Sequence, residues 1–184
     1  MKKILFILLM VLCVPSVYSQ VIKYKGIEVD GGINKFERAL YQKCGATWLF
    51  QRDNTHTFKY KGENIYVLEN TMTKKIWRVV ETFEYSDFSS AKSKFISLYN
   101  AINNSGNYIL SNNFTEKDVD GEYHDTNIYN IKRNSMYLGS YFWYNYILKG
   151  TTNQDIQVTL LMQGTEYIVL VYYQNGNNVE IEEF

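Results

Sequence analysis

Residues 140–150 read SYFWYNYILKG, 155–164 read DIQVTLLMQG, 165–176 read TEYIVLVYYQNG and 177–184 read NNVEIEEF. All four runs are rich in β-branched, aromatic or alternating apolar residues, and the first three end at a Gly, as strands in succession do. Asn175-Gly176 is the dipeptide favoured in two-residue hairpins, and Gln163-Gly164 holds the same place one hairpin earlier. Ser140 to Glu182 therefore predicts a C-terminal four-stranded antiparallel meander. The rest of the chain packs on that sheet or extends it.

Working back from it, VIKYKGIEV after Gln20 reads as one short strand, and Asp30 as the cap of a helix over Ile33–Lys43. Ile33, Phe36, Leu40 and Cys44 share one face of that helix, and Gly45 ends it. Thr47–Arg52, Thr55–Tyr60, Glu63–Glu69 and Lys75–Tyr85 read as strands, parted by the turn pairs Asp53-Asn54 and Lys61-Gly62. Alternation in the longest places Trp77, Val79, Phe83 and Tyr85 on one face, interrupted by Glu81, with Arg78, Thr82 and Glu84 opposite. Ser86-Asp87 then caps a helix over Phe88–Ile102 with the stripe Phe88, Ala91, Phe95, Leu98, Tyr99 and Ile102; its Ser89, Lys92, Lys94 and Asn100 face reads as solvated. Asn107–Leu110 suggests a further strand, Thr115–Asn130 is polar and turn-rich, and Ile131–Leu138 fits strand or helix. The fold class is α+β, two helices on antiparallel sheet. A helix followed by about four strands occurs twice, which suggests two α-then-β units without any detectable sequence repeat.

Residues 1–19 have the three regions of a signal peptide: a basic start, the apolar run ILFILLMVLCV, and Val17-Tyr18-Ser19 before Gln20. The run is too short to span a bilayer, and Leu12 before Cys13 is wrong for a lipid anchor. Cleavage near Ser19-Gln20 leaves a single domain, 20–184, exported to the periplasm or beyond, with no integral membrane segment. Lys2 and Lys3 leave with the leader, so 19 basic against 19 acidic residues become a net charge of about −2, which argues against nucleic acid as a partner. Cys44 then stands alone. It reads as a buried core thiol; as a nucleophile it would need His56 or His124 close by in space.

Motifs that carry chemistry are scarce. Asp118-Val119-Asp120-Gly121-Glu122-Tyr123-His124-Asp125 clusters oxygen ligands around a Gly, but an EF-hand register puts Asn127 where a bidentate Glu belongs, so it reads as an acidic surface turn. Two histidines and one cysteine undersupply a zinc site. GxSxG, HExxH, the P-loop and GxGxxG do not occur, and nothing selects a pair of carboxylates for glycoside hydrolysis. No metal and no cofactor are expected.

What stands out is aromatic content, with 17 tyrosines, all but Tyr18 beyond the leader. In SYFWYNY, Tyr141 and Trp143 fall on one face and Phe142, Tyr144 and Tyr146 on the other. Either both faces are covered, or the outer one is a recognition surface, for which Tyr and Trp are suited.

Lys23 to Gly45, KYKGIEVDGGINKFERALYQKCG, is similar to the opening of a large group of small secreted proteins of gut Bacteroidales, themselves of uncharacterised function. Their pattern is a Lys-aromatic-Lys-Gly-Ile strand, an Asp-Gly turn and a helix ending in Gly. The resemblance resumes at Phe83–Ile102 and at Ile156–Val179, and covers about half of the mature chain. It departs after the second helix, where the family has a Tyr-Gly-x-Pro turn and Gly106-Asn107-Tyr108 has no proline. The resemblance implies an exported α+β domain and brings no catalytic residues.

The resulting expectation is an exported, non-catalytic binding protein that contacts a protein partner through Tyr141, Trp143, Tyr144 and Tyr146. A carbohydrate-binding accessory protein is the alternative, and a hydrolase comes third.

Overall fold

The structure is a computed structural model that describes residues 20–114, 128–133 and 141–179. The expected leader, the acidic turn 118–125 and residues 180–184 lie outside the described residues, as does the side chain of Tyr141.

The N-terminal stretch is not one strand. Lys23–Tyr24 (β1) and Ile27–Glu28 (β2) pair antiparallel as a tight hairpin, because Lys25 and Gly26 both take positive φ, 47° and 77°, the geometry of a type I′ turn. Helix α1 follows over Ile33–Cys44, buries Phe36 and Leu40, and stops at Gly45 in the left-handed conformation. Its N-cap is Gly32 rather than Asp30. The Asp30 carboxylate instead accepts from the Gly31 amide and from Asn178. Four strands come next: β3 Thr47–Arg52, β4 Thr55–Tyr60, β5 Glu63–Glu69 and β6 Ile76–Tyr85. Helix α2, Phe88–Asn104, begins where the Asp87 carboxylate accepts from the Ser90 amide at 2.9 Å. After it come β7 Tyr108–Phe114, β8 Tyr141–Leu148, β9 Gln154–Gln163 and β10 Glu166–Asn175.

Strands β3 to β10 form one antiparallel sheet in the order β3-β4-β5-β6-β10-β9-β8-β7. Each helix is followed by four sheet strands, and the two sets join last strand to last strand, with Tyr85 opposite Tyr167 and Arg78 opposite Gln174. The described residues do not continue the expected meander past β10. Asn175-Gly176 does not turn a hairpin; Gly176–Asn178 forms a single 3-10 turn. Both sides of β10 are already hydrogen-bonded, to β9 and to β6, so no further strand can pair there. The glycine serves close approach instead. A Cβ on Gly176 would sit 2.6 Å from the Asn153 carbonyl oxygen.

One sheet face is dry. Phe58, Ile65, Val67, Val79, Phe83, Val169, Val171, Val158, Leu160, Phe142, Tyr144 and Tyr146 form a cluster with Phe36 and Leu40 of α1 and Ala91 and Phe95 of α2. The β1–β2 hairpin joins the same cluster through Tyr24, whose ring meets Tyr173 edge-on at 5.1 Å. Glu81, the interruption in β6, pairs there with Lys25, Nζ to Oε1 at 3.0 Å. The stretch 20–32 is further tied to the sheet end by buried amides. Gln154 accepts from Ile22 N at 2.7 Å and donates to Gln20 O at 2.8 Å. Asn175 donates to Val29 O, and Asn178 to Asp30 and Ile76 O. The polar side of α2 is not simply solvated: Lys92 Nζ donates to the carbonyls of Tyr129 and Ile131 at 2.7 Å each, and Asn100 accepts from the Tyr129 hydroxyl.

Candidate functional site

Alternation along β8 settles which aromatics face outward. Tyr144 and Tyr146 are 4% and 1% exposed and lie under α2, where Tyr144 meets Phe95 at 5.5 Å and Tyr99 at 5.0 Å between ring centroids, and Tyr146 meets Tyr99 at 6.1 Å. Burial pushes the Tyr146 hydroxyl well above the usual tyrosine range, and the neighbouring Tyr99 adds to the shift. These two residues are therefore core, which corrects the expectation that they form a contact surface. Trp143 stands on the opposite face, as does the backbone position of Tyr141.

That opposite face carries no helix among the described residues, and registration turns it into rows across the strands. One row runs Leu68, Arg78, Gln174, Asp155, Ile147 from β5 to β8. The next runs Tyr66, Val80, Tyr172, Gln157, Asn145. A third runs Asn64, Thr82, Leu170, Thr159, Trp143. Strands from both α-then-β units contribute, so the face exists only where β6 meets β10.

Its most specific feature comes from a bulge. Leu68 pairs with Arg78 while Glu69 pairs with Ile76, leaving Trp77 as an extra residue on β6. A bulge re-aims side chains, so Trp77 does not share the face of the buried Val79, contrary to the simple alternation. The Arg78 guanidinium instead lies 4.2 Å from the Trp77 ring centroid and 5.5 Å from that of Tyr172. This cation is held between aromatic faces, and its burial lowers its pKa. Beside it, Asp155 Oδ2 accepts from Gln174 Nε2 at 2.8 Å, and from the Asn145 amide at 2.8 Å once that amide is oriented to donate. Burial raises the Asp155 pKa, against the opposing pull of the Gln174 hydrogen bond and the Arg78 charge.

The arrangement presents aromatic surface, one cation, one carboxylate and several amides on a rigid sheet. Those are the side chains that dominate recognition interfaces. The residues with catalytic potential are elsewhere. His56 is buried with Nε2 3.8 Å from Glu69, and Cys44 packs against the hydrophobic cluster at the end of α1. Among the described residues no His, Cys, Asp and Glu side chains gather in a metal-holding group. No helix among the described residues is long and apolar enough to cross a membrane.

Trp143 is the one expected contact residue that the structure describes on the open face. Sequence reasoning missed Trp77, Arg78, Tyr66 and Tyr172. The alternation of β10 could have flagged Tyr172, but no local signal marks the bulge. Comparison with protein-family models, with curated proteins and with solved structures finds no match to this chain.

Proposed function

We propose that the protein is an exported, non-catalytic binding protein whose open sheet face contacts a protein partner in the periplasm or at the cell surface. The observation that supports this most is the Trp77–Arg78–Tyr172 group on the face that carries no helix among the described residues, a face it shares with Trp143 two strands beyond Tyr172. Trp, Tyr and Arg on a rigid scaffold give large contact area with little ordering cost. The sequence pattern of residues 1–19 supports export, and the resemblance of Lys23–Gly45 to secreted proteins agrees with it. Tyr141 remains within the proposed surface by its register, opposite Leu161; Tyr144 and Tyr146 do not.

A second reading, a carbohydrate-binding accessory protein, draws on the Asp155, Gln174 and Asn145 cluster next to Tyr172. A ring stacked on an aromatic face, with hydroxyls bonded to carboxylate and amides, is the usual chemistry of sugar recognition.

The deciding experiment immobilises residues 20–184 and captures from envelope and secreted fractions of the protein's own cells, read by mass spectrometry. A saturable protein partner lost with Trp143→Ala and with Tyr172→Ala, at unchanged melting temperature, supports the first reading. Capture that neither substitution weakens removes the open face from the proposal. Binding to defined glycans, with no protein retained, favours the second reading.

A further inference from the structure

We propose that Arg78 is a carboxylate-binding site, whose guanidinium receives an aspartate or glutamate side chain of the protein partner; this role rests on the protein-contact reading above.

The chain itself leaves this cation unanswered. Arg78 Nε is buried without a hydrogen-bond partner, and among the described residues no carboxylate lies within ion-pair distance of the guanidinium. Its neighbours are rings, with Trp77 at 4.2 Å and Tyr172 at 5.5 Å from the guanidinium carbon. The same strand supplies the contrast. Glu81 on the dry face is met by Lys25 at 3.0 Å, while Arg78 on the open face has no counter-charge of its own. A half-buried ion left unpaired costs stability, and chains break local rules of this kind where function requires it.

Asp155 does not fill the gap. It lies in the same row on β9, with Gln174 of β10 between, so its backbone stands two strand spacings, about 10 Å, from that of Arg78. Its carboxylate accepts instead from the Gln174 and Asn145 amides, each at 2.8 Å. Gln174 thus satisfies the acid and keeps it from the arginine.

The edge of the guanidinium remains for a ligand. An aromatic ring covers the flat face of the group and leaves its in-plane N–H donors to an incoming acceptor. Those donors form a fork that matches the two oxygens of a carboxylate. Leu68, paired with Arg78 across the ladder, and Val80, next on the same face, give the fork an apolar surround in which a hydrogen bond is stronger than in water. One guanidinium suits a monoanion; a phosphate dianion would gain a single cation and meet the charge of Asp155 nearby. Trp77 and Tyr172 add ring surface for apolar residues beside the acid, which favours a polypeptide over a free anion.

The test repeats the capture from envelope and secreted fractions with Arg78→Gln, Arg78→Lys and Asp155→Asn in residues 20–184, each with its melting temperature. Loss of a two-pronged charge-assisted bond should weaken capture about 10- to 100-fold in Arg78→Gln. Arg78→Lys should recover only part of this, because an ammonium has no fork. Asp155→Asn should strengthen capture about twofold at low salt by removing a like charge. An arginine that only packs would lower the melting temperature and leave these affinities in place. Burial shields the Arg78 Nε–H from solvent exchange, so its resonance should be resolved. It should shift on titration with acetylated, amidated Ala-Glu-Ala and not with Ala-Gln-Ala. Capture lost with Trp143→Ala but indifferent to Arg78→Gln overturns the carboxylate site and leaves the protein-contact reading standing. Capture that no open-face substitution weakens removes both. An Nε–H that answers galacturonate but neither peptide, with no protein retained, overturns the protein source in favour of an acidic sugar.

Discussion

Replacing Lys25 with Met should unfasten the N-terminal hairpin from the centre of the sheet. Lys25 sits at the hairpin tip with φ of 47°, and its Nζ lies 3.0 Å from Glu81 Oε1 and about 5 Å from the ring centroids of Tyr24 and Tyr60. The Glu81 side chain is 6% exposed and that of Lys25 is 30% exposed. Without the ammonium, a carboxylate remains among Tyr24, Tyr173 and the apolar face of β6 with no counter-charge. Breaking a buried pair from one side costs about 3–5 kcal/mol. Water can reach the lysine end, so the lower bound applies, about 3 kcal/mol, which for a chain of this length is a fall in Tm of about 6–12 °C. Removing both charges in Lys25→Met/Glu81→Gln should recover much of that loss, because no unpaired ion remains. Urea titrations of the wild type, both singles and the double close the cycle and isolate the coupling. A fall below about 2 °C for Lys25→Met, or single effects that merely add, would refute the argument. The hairpin would then be held by Tyr24 packing on Tyr173 and by the amides at its base.

Adjacent residues of β8 should behave oppositely: Tyr144→Ala should cost about 3–5 kcal/mol of stability in a denaturant melt, whereas Trp143→Ala should leave the melt nearly unchanged and weaken partner capture. Gln154→Leu leaves the Ile22 amide and the Gln20 carbonyl without their shared partner, at about 1–3 kcal/mol for each group left buried, and hydrogen exchange should show the 20–29 stretch opening first. Because burial raises the folded-state pKa of Asp155 above its unfolded value, the folded chain binds that proton more tightly. Stability should therefore rise, relative to Asp155→Asn, as pH falls from neutral through the folded pKa, with the full gain reached below the ordinary aspartate range. Melts of both proteins across that pH range measure the difference, and a difference that stays flat or changes sign would contradict the burial argument.

Much of the element order was legible because its signals are local. Asp53-Asn54 and Lys61-Gly62 each stand between strands that pair as the turn chemistry requires, the last hairpin turns one residue later than the Gln163-Gly164 reading, at Gly164-Thr165, because Gln163 still pairs with Glu166, and Asp87 caps the helix that its stripe announces. What escaped the sequence depends on partners distant in the chain. Lys25-Gly26 is a turn pair of the same kind, but two-residue strands on either side are too short to show a period. Trp77 looks like a core position by alternation, and only its pairing against Leu68 and Glu69 shows the extra residue. The two faces of SYFWYNY were separable from sequence; which face α2 would cover was not, since that depends on the docking of Phe95 and Tyr99, which are distant in the chain from Tyr144 and Tyr146.

The join between β6 and β10 is what makes these separate features one system. Glu81 and Arg78 lie three residues apart on β6, one facing the hairpin and the other facing outward beside Gln174. Slipping the pairing by one residue would bury Arg78 and expose Glu81, so the ion pair with Lys25 defends the register that keeps the outer rows aligned. The hairpin on the dry face thereby acts on the open face without touching it. Lys25→Met should accordingly weaken capture through Trp143 only to the extent that it frays the β6–β10 ladder. Amide exchange at Val80 and Tyr172 would measure that fraying, and capture lost without faster exchange there would break the link.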